Sequence, residues 1–187
     1  SSATLLLGII NDILDFSKIE AGKVKIEAIE FNFEEMLERF KSLVLNKATE
    51  NNVDFSIVMQ NTTPKNLIGD PLRIHQILMN LASNAIKFSE NGQVKIRLEF
   101  VNKAEDIVWV YISVKDDGIG MSEEQLTNLY TSFTQADSST TRKFGGTGLG
   151  LTITKKLVDL MNGNISVEST LGVGTEFCVT LPLKTNK

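Results

Sequence analysis

Asp70-Pro71-Leu72-Arg73-Ile74-His75-Gln76-Ile77-Leu78-Met79-Asn80-Leu81-Ala82-Ser83-Asn84-Ala85-Ile86-Lys87-Phe88 is the stretch on which the reading of the fold turns. Asp70 and Pro71 open a helix: a short acidic side chain caps the first free N–H groups, and proline suits the first helical position. Leu72, Ile77, Leu78, Leu81, Ala85 and Ile86 supply an apolar stripe for a core. Asn80, Asn84 and Lys87 recur at i, i+4 and i+7, so they share a second face of the same helix. Carboxamide oxygens are adequate ligands for Mg²⁺, and a lysine offers a point charge to phosphate. A solvated face is the plain alternative; what surrounds the helix decides between them.

Outward from this helix, Thr4 to Glu20 carries Leu6, Ile9, Ile10, Ile13, Phe16 and Ile19 at helical spacing, with Asp12, Asp15 and Lys18 elsewhere. So dense a face is expected to pack on another helix, from upstream in the chain or from a second subunit. Val24 to Glu27 alternates like a half-buried strand. Asn32 caps a predicted helix whose inner face is Met36, Leu37, Phe40, Val44 and Leu45. Val53 to Met59 reads as a strand and Asn61 to Pro64 as a turn. Beyond Asn91-Gly92, Gln93 to Val101 and Ile107 to Val114 read as a hairpin, with Trp109, Tyr111, Phe100 and Phe177 as sheet core. A short helix around Glu123 to Tyr130, a helix over Leu149 to Met161, and strands Asn164 to Glu168 and Thr175 to Leu183 complete the chain. No regular β-α-β rhythm appears, so the expected class is α+β: a mixed, mostly antiparallel sheet with helices on one face and an added N-terminal helix.

The chain has 187 residues, net charge -4, one cysteine (Cys178) and one histidine (His75). That length suits one domain with a short appendage. The acidic balance disfavours nucleic acid and anionic membrane as partners. The lone cysteine excludes a disulfide scaffold, and the lone histidine excludes a His-rich metal centre. No charge-free apolar run is long enough to span a bilayer. A cytoplasmic fragment is expected, whatever anchors its parent protein.

Six of the 13 glycines lie between Gly118 and Gly150. One cluster, Asp116-Asp117-Gly118-Ile119-Gly120, follows a strand; the other, Gly145-Gly146-Thr147-Gly148-Leu149-Gly150-Leu151, precedes a helix. Glycine lets backbone N–H groups close on an anion, and a helix N-terminus adds its dipole. The second cluster lacks the Gly-Lys-Ser/Thr ending of a P-loop and has no strand before it as a Rossmann turn would.

In order and spacing these elements resemble the catalytic domain of sensor histidine kinases, particularly hybrid kinases of two-component systems. Residues 70–88 are similar to the N box, Asp116 to Gly120 to the G1 box, Phe133-Thr134-Gln135-Ala136-Asp137 to the F box, and Gly146 to Leu151 to the G2 box. Gly172-Val173-Gly174-Thr175-Glu176-Phe177 is similar to the closing strand motif. Residues 1–22 resemble the end of the second helix of the dimerisation and phosphotransfer domain, leaving 23–187 as the ATP-binding domain.

The resemblance implies a Bergerat ATP-binding fold of the GHKL superfamily, a two-layer α/β sandwich, with ATP and Mg²⁺ as cofactors. It implies that Asp116 accepts a hydrogen bond from the adenine amino group, helped through water by Thr175. Asn84 would ligate Mg²⁺ with Asn80 in support, and Lys87 would contact phosphate. Gly118 and Gly120 would shape the nucleoside pocket; Gly146, Thr147, Gly148, Leu149 and Gly150 would form the phosphate loop. Residues 129–144 would be a lid, with Phe133 as lid packing and Arg142 as the candidate lid cation, since Gln135 stands where many such kinases carry arginine. Tyr130 stands where phenylalanine is common.

Gyrase-type ATPases place a glutamate at the position of Asn80; a neutral amide cannot serve as general base, so transfer is favoured over hydrolysis. No phosphoacceptor motif occurs, and His75 reads as an ordinary helix residue. The expected role is therefore the donor half of a histidine kinase. Its implied partners are a histidine-phosphotransfer domain, a response regulator receiver domain and a second copy through the N-terminal helix. The alternatives are a nucleotide-binding regulatory module and a gyrase-like ATPase.

Overall fold

The computed structural model describes residues 2–60, 63–130 and 149–186. The elements are α1 (Ser2–Glu20), β1 (Ile29–Phe31), α2 (Phe33–Glu50), β2 (Asp54–Gln60), β3 (Leu67–Gly69) and α3 (Pro71–Lys87). They continue with β4 (Gln93–Ala104), β5 (Ile107–Asp116), α4 (Glu123–Thr127), α5 (Gly150–Leu160), β6 (Asn164–Thr170) and β7 (Gly174–Thr185).

The seven strands form one sheet ordered β1-β3-β7-β5-β4-β2, with β6 also paired to β7. Every pairing is antiparallel except β2 with β4. Along β4, β5 and β7 alternate residues are buried. That inner face, with Val94, Ile96, Leu98, Val110, Ile112, Val179 and Leu181, shares one core with the apolar faces of α2, α3 and α5. Phe33 stands edge-on to Phe100 with ring centroids 5.0 Å apart, a packing favoured beyond its buried area.

Capping explains where the two long core helices begin. Asn32 accepts the Glu35 N–H at 3.2 Å. Asp70 accepts the Arg73 N–H at 3.1 Å through one carboxylate oxygen and the Glu27 N–H at 3.0 Å through the other. Asp70 thus caps α3 and ties down the segment before β1; a cap of this kind is worth about 0.5–2 kcal/mol.

The α+β class, mixed sheet and N-terminal helix follow the sequence reading, with several corrections. Residues 23–28 are not a strand; pairing begins at Ile29, because Glu27 gives its N–H to Asp70 rather than to a neighbouring strand. Leu72 and Leu45 are exposed, whereas Ile74 and Ala48 are buried. Phe100 and Phe177 are core, but Trp109 and Tyr111 point to the opposite side of the sheet and are only half-buried. Among the described residues no helix is long and apolar enough to cross a membrane.

α1 packs on α3 and α5 through its C-terminal half. Phe16 and Ile19 reach the core, Asp15 lies 3.7 Å from Arg73 and accepts the Gln76 side-chain amide at 2.8 Å, and Glu20 pairs with Lys156. Leu6, Leu7, Ile10, Ile13 and Leu14 remain exposed.

Candidate functional site

β5 carries Asp116 to its C-terminal end, directly across from Thr175 of β7. Both are buried, at 8% exposure, on the side of the sheet that faces the helices. Asp116 Oδ1 accepts the Gly118 N–H at 2.9 Å, which starts a turn. That turn meets the end of α3 with no room for a side chain: a Cβ on Gly118 would strike the Phe88 carbonyl, which accepts the Ile119 N–H at 3.3 Å. Gly120 adopts φ +68°, and a Cβ there would run into the Thr170 carbonyl. Asp117 has a structural duty, accepting the Gln93 N–H at 2.8 Å.

Burial pushes the Asp116 carboxyl above the usual carboxylate range, while the Gly118 and Thr175 backbone N–H groups and the nearby Ser89 hydroxyl pull the other way. The Ser89 hydroxyl is buried, and Asp116 is the acceptor it acts on. Thr175 Oγ1 lies 2.8 Å from Ser169 Oγ, which accepts the Met121 N–H at 2.8 Å and donates to the Gly174 carbonyl at 3.1 Å. A buried carboxylate backed by its own donors is suited to hold a hydrogen-bond donor of a ligand.

The second part of the site is the polar row on α3. Asn80 donates its amide to the Gly150 carbonyl at 3.3 Å and to Thr154 Oγ1 at 3.2 Å, and Thr154 donates to the same carbonyl at 2.8 Å. Its amide nitrogen thereby ties α3 to the first turn of α5, and Oδ1 receives no protein donor among the described residues. The Asn84 side chain has no hydrogen bond among the described residues, and Lys87 has no ion pair among them. Burial lowers the Lys87 pKa, as does nearby Lys47, while Asp12 of α1 raises it. Asp12 is itself raised by burial and by Asp15, with Lys87 opposing. Two amide oxygens and a half-buried ammonium, without a hydrogen bond or ion pair among the described residues, suit a divalent cation and phosphate oxygens.

The structure therefore brings Asp116, Gly118, Gly120 and Thr175 to one place, with the Lys87 end of α3 running into it through Phe88 and Ser89. Leu149 is fully buried, and Gly150 opens α5 with its carbonyl taken by Asn80 and Thr154. Phe133, Arg142, Gly146, Thr147 and Gly148, with most of the expected lid, lie outside the described residues. His75 stands edge-on to Phe40 at 6.1 Å, and burial lowers its pKa, as befits a neutral packing residue. Sequence reasoning missed Ser89, Ser169 and Thr154: lone hydroxyls on a strand, on a helix or just past a helix end follow no period, and only register and packing show what they meet.

Residues 69–185, more than half of the chain, match the family described as histidine kinase-, DNA gyrase B- and HSP90-like ATPase. The sensor histidine kinase GacS of Pseudomonas protegens is 46% identical over 182 residues, covering 97% of this chain and 20% of the relative. The chain thus spans about a fifth of that relative's length. The crystal structure of full-length ShkA in complex with AMPPNP superposes with a TM-score of 0.83 at 29% identity, over 99% of this chain and 37% of that one. Histidine kinase ThkA in complex with response regulator protein TrrA gives a TM-score of 0.67 at 27% identity, over 97% and 48% of the two chains. With the buried carboxylate, the glycine turn packed on α3 and the amide-lysine row already in view, the chain belongs to the histidine kinase-, DNA gyrase B- and HSP90-like ATPase family, as a domain homologous to those of sensor histidine kinases.

Proposed function

We propose that this chain binds Mg-ATP and donates the γ-phosphate to a histidine on a dimerisation domain. The observation that carries the reading is that two unlike groups lie along the end of α3: a buried acceptor, Asp116, and an amide and an ammonium, Asn84 and Lys87, without a side-chain hydrogen bond or ion pair among the described residues. Asp116 takes the adenine amino group, with Thr175 assisting through water. Guanine is disfavoured because its corresponding edge presents a carbonyl. Gly118 and Gly120 let the nucleoside lie against backbone. Asn84, with Asn80 Oδ1 behind it, holds Mg²⁺, and Lys87 contacts phosphate. Mg²⁺, when bound, would neutralise charge on the phosphate oxygens. The loop at 146–150 and the lid with Phe133 and Arg142 complete the phosphate end in this reading.

Transfer is favoured over hydrolysis because Asn80 is an amide whose nitrogen is engaged with α5, leaving no carboxylate at that position to deprotonate water. In the transfer, the bond from γ-phosphorus to the β–γ bridging oxygen breaks, a bond to an imidazole nitrogen forms, and ADP leaves. Residues 1–22 are taken as the end of the dimerisation helix and 23–187 as the catalytic domain. The exposed apolar residues in the first half of α1 support a helical partner, including a second copy. A receiver domain downstream in the relay and a cytoplasmic location belong to the same proposal.

Mixing the chain with γ-labelled ATP and a separately produced acceptor domain tests it. Label on the acceptor histidine is the expected result. Tight nucleotide binding without acceptor label would leave a regulatory module, and phosphate release without acceptor would leave an ATPase.

A further inference from the structure

We propose that Ser169 is a specificity-determining residue of the nucleotide site: it holds the hydroxyl proton of Thr175, so that Asp116 and Thr175 both present acceptors to the base. The inference deepens the adenine reading above and rests on it.

Asp116, Thr175 and Ser169 are neighbours across three adjacent strands, since Thr175 of β7 is paired with Asp116 of β5 on one side and Ser169 of β6 on the other. Ser169 Oγ makes three contacts: Met121 N at 2.8 Å, the Gly174 carbonyl at 3.1 Å and Thr175 Oγ1 at 2.8 Å. A hydroxyl has one proton and two lone pairs. A backbone N–H can only donate and a carbonyl can only accept, so Ser169 accepts from Met121 and donates to Gly174. Its second lone pair is then left for Thr175, and Thr175 must be the donor in their shared bond. The Thr175 proton is thereby directed into β6, away from Asp116, and Oγ1 keeps only lone pairs for the pocket.

An ionised carboxylate also accepts only. The group recognised between Asp116 and Thr175 therefore has to bring protons to both. A 6-amino purine does so, directly or through one water that donates to each. A 6-oxo purine instead sets a carbonyl oxygen against two acceptors, leaving buried groups unpaired. Ser169 itself touches no ligand; it acts through Thr175.

The test is to titrate ATP and inosine triphosphate, which differ in the group at the purine 6-position, into wild type, Ser169→Ala and Ser169→Thr. Wild type should favour ATP. Ser169→Ala frees the Thr175 proton to turn toward the pocket, and the ATP preference should fall roughly tenfold. Ser169→Thr, which keeps the hydroxyl on a strand that tolerates β-branching, should restore it. A merely structural lesion would weaken both nucleotides alike, so an unchanged ratio in Ser169→Ala overturns the inference. Should that variant not fold, Ser169→Cys, whose thiol is a weak acceptor, makes the same comparison, and an unchanged ratio there overturns it equally. Wild type that binds both nucleotides equally well removes the inference while leaving ATP binding intact. Wild type that binds neither removes the adenine reading itself.

Discussion

The two ends of the candidate site are built in opposite ways. At the end proposed to read the base, Asp116, Thr175, Ser169 and the glycine turn are held by strand register, by backbone N–H groups and by contacts that leave no space for a side chain. At the end proposed to take the phosphates, Asn84 and Lys87 project from one helix with no fixed partner among the described residues, and the charges nearest Lys87 come from α1 and α2. A flat base offers few hydrogen bonds, so reading it takes acceptors placed in advance. Phosphates and a hydrated cation change their coordination during transfer, and loosely held groups can follow them.

The sharpest way to break this contrast is Asp116→Asn. Losing a charged acceptor in a buried site should weaken ATP binding roughly 100-fold by calorimetry. A change of less than about threefold would remove Asp116 from the base-reading role. The same substitution tests the electrostatics. Burial raises the folded-state pKa of Asp116, so between the unfolded and folded values the native state binds the extra proton and wild-type stability falls as pH rises through that window. Urea midpoints followed across acidic pH should show this slope in wild type and a smaller one in Asp116→Asn. ATP affinity of wild type should also be lost at a higher pH, on acidification, than an ordinary aspartate would dictate.

Next in size is Gly118→Ala. Its new methyl group meets the Phe88 backbone carbonyl, which cannot move without disturbing the end of α3. Urea unfolding should show a loss of about 1–3 kcal/mol; a neutral result would mean that the base end yields more easily than its close contacts imply.

Asn84→Ala probes the other end. It should cut Mg-ATP affinity by roughly tenfold, the scale of one lost polar contact, and leave binding measured in excess chelator unchanged. An equal loss with and without Mg²⁺ would place Asn84 outside the cation site.

The smallest effect is expected from Asp15→Asn. Its ion pair with Arg73 is partly exposed, so the loss should not exceed ~1 kcal/mol. Faster amide exchange in α1 with unchanged ATP affinity is the expected pattern; a drop in ATP affinity would show that docking of α1 shapes the phosphate end.

Much of this molecule is legible in its sequence. The Asp70-Pro71 start of α3 and the Asn32 cap are readable because capping is a local matter of one side chain and a few N–H groups. The order of the glycine turn, the amide-lysine row and the closing strand points to the site. The features that escape a sequence reading depend on partners distant in the chain. Val24 to Glu27 alternates like a strand but has no strand beside it, and β3 has only three residues, so no period marks it. Alternation separates Trp109 and Tyr111 from their neighbours without saying which face the helices cover. Ser89 next to Asp116, and Ser169 paired with Thr175, are defined by a helix end packed on a turn and by strand register.

The sequence by itself determined the caps, the periods, the glycine positions and the residue types available for a nucleotide, because each is set by chemistry within a few residues. Only the tertiary structure decided which hydroxyls stand behind Asp116 and Thr175, where the Asn80 amide is spent, and that α1 sets its acids against the α3 row. Most of those contacts join residues tens of positions apart, and even Ser169 and Thr175, six apart, meet through strand register; their geometry exists only once the sheet is in register and the helices have packed on it.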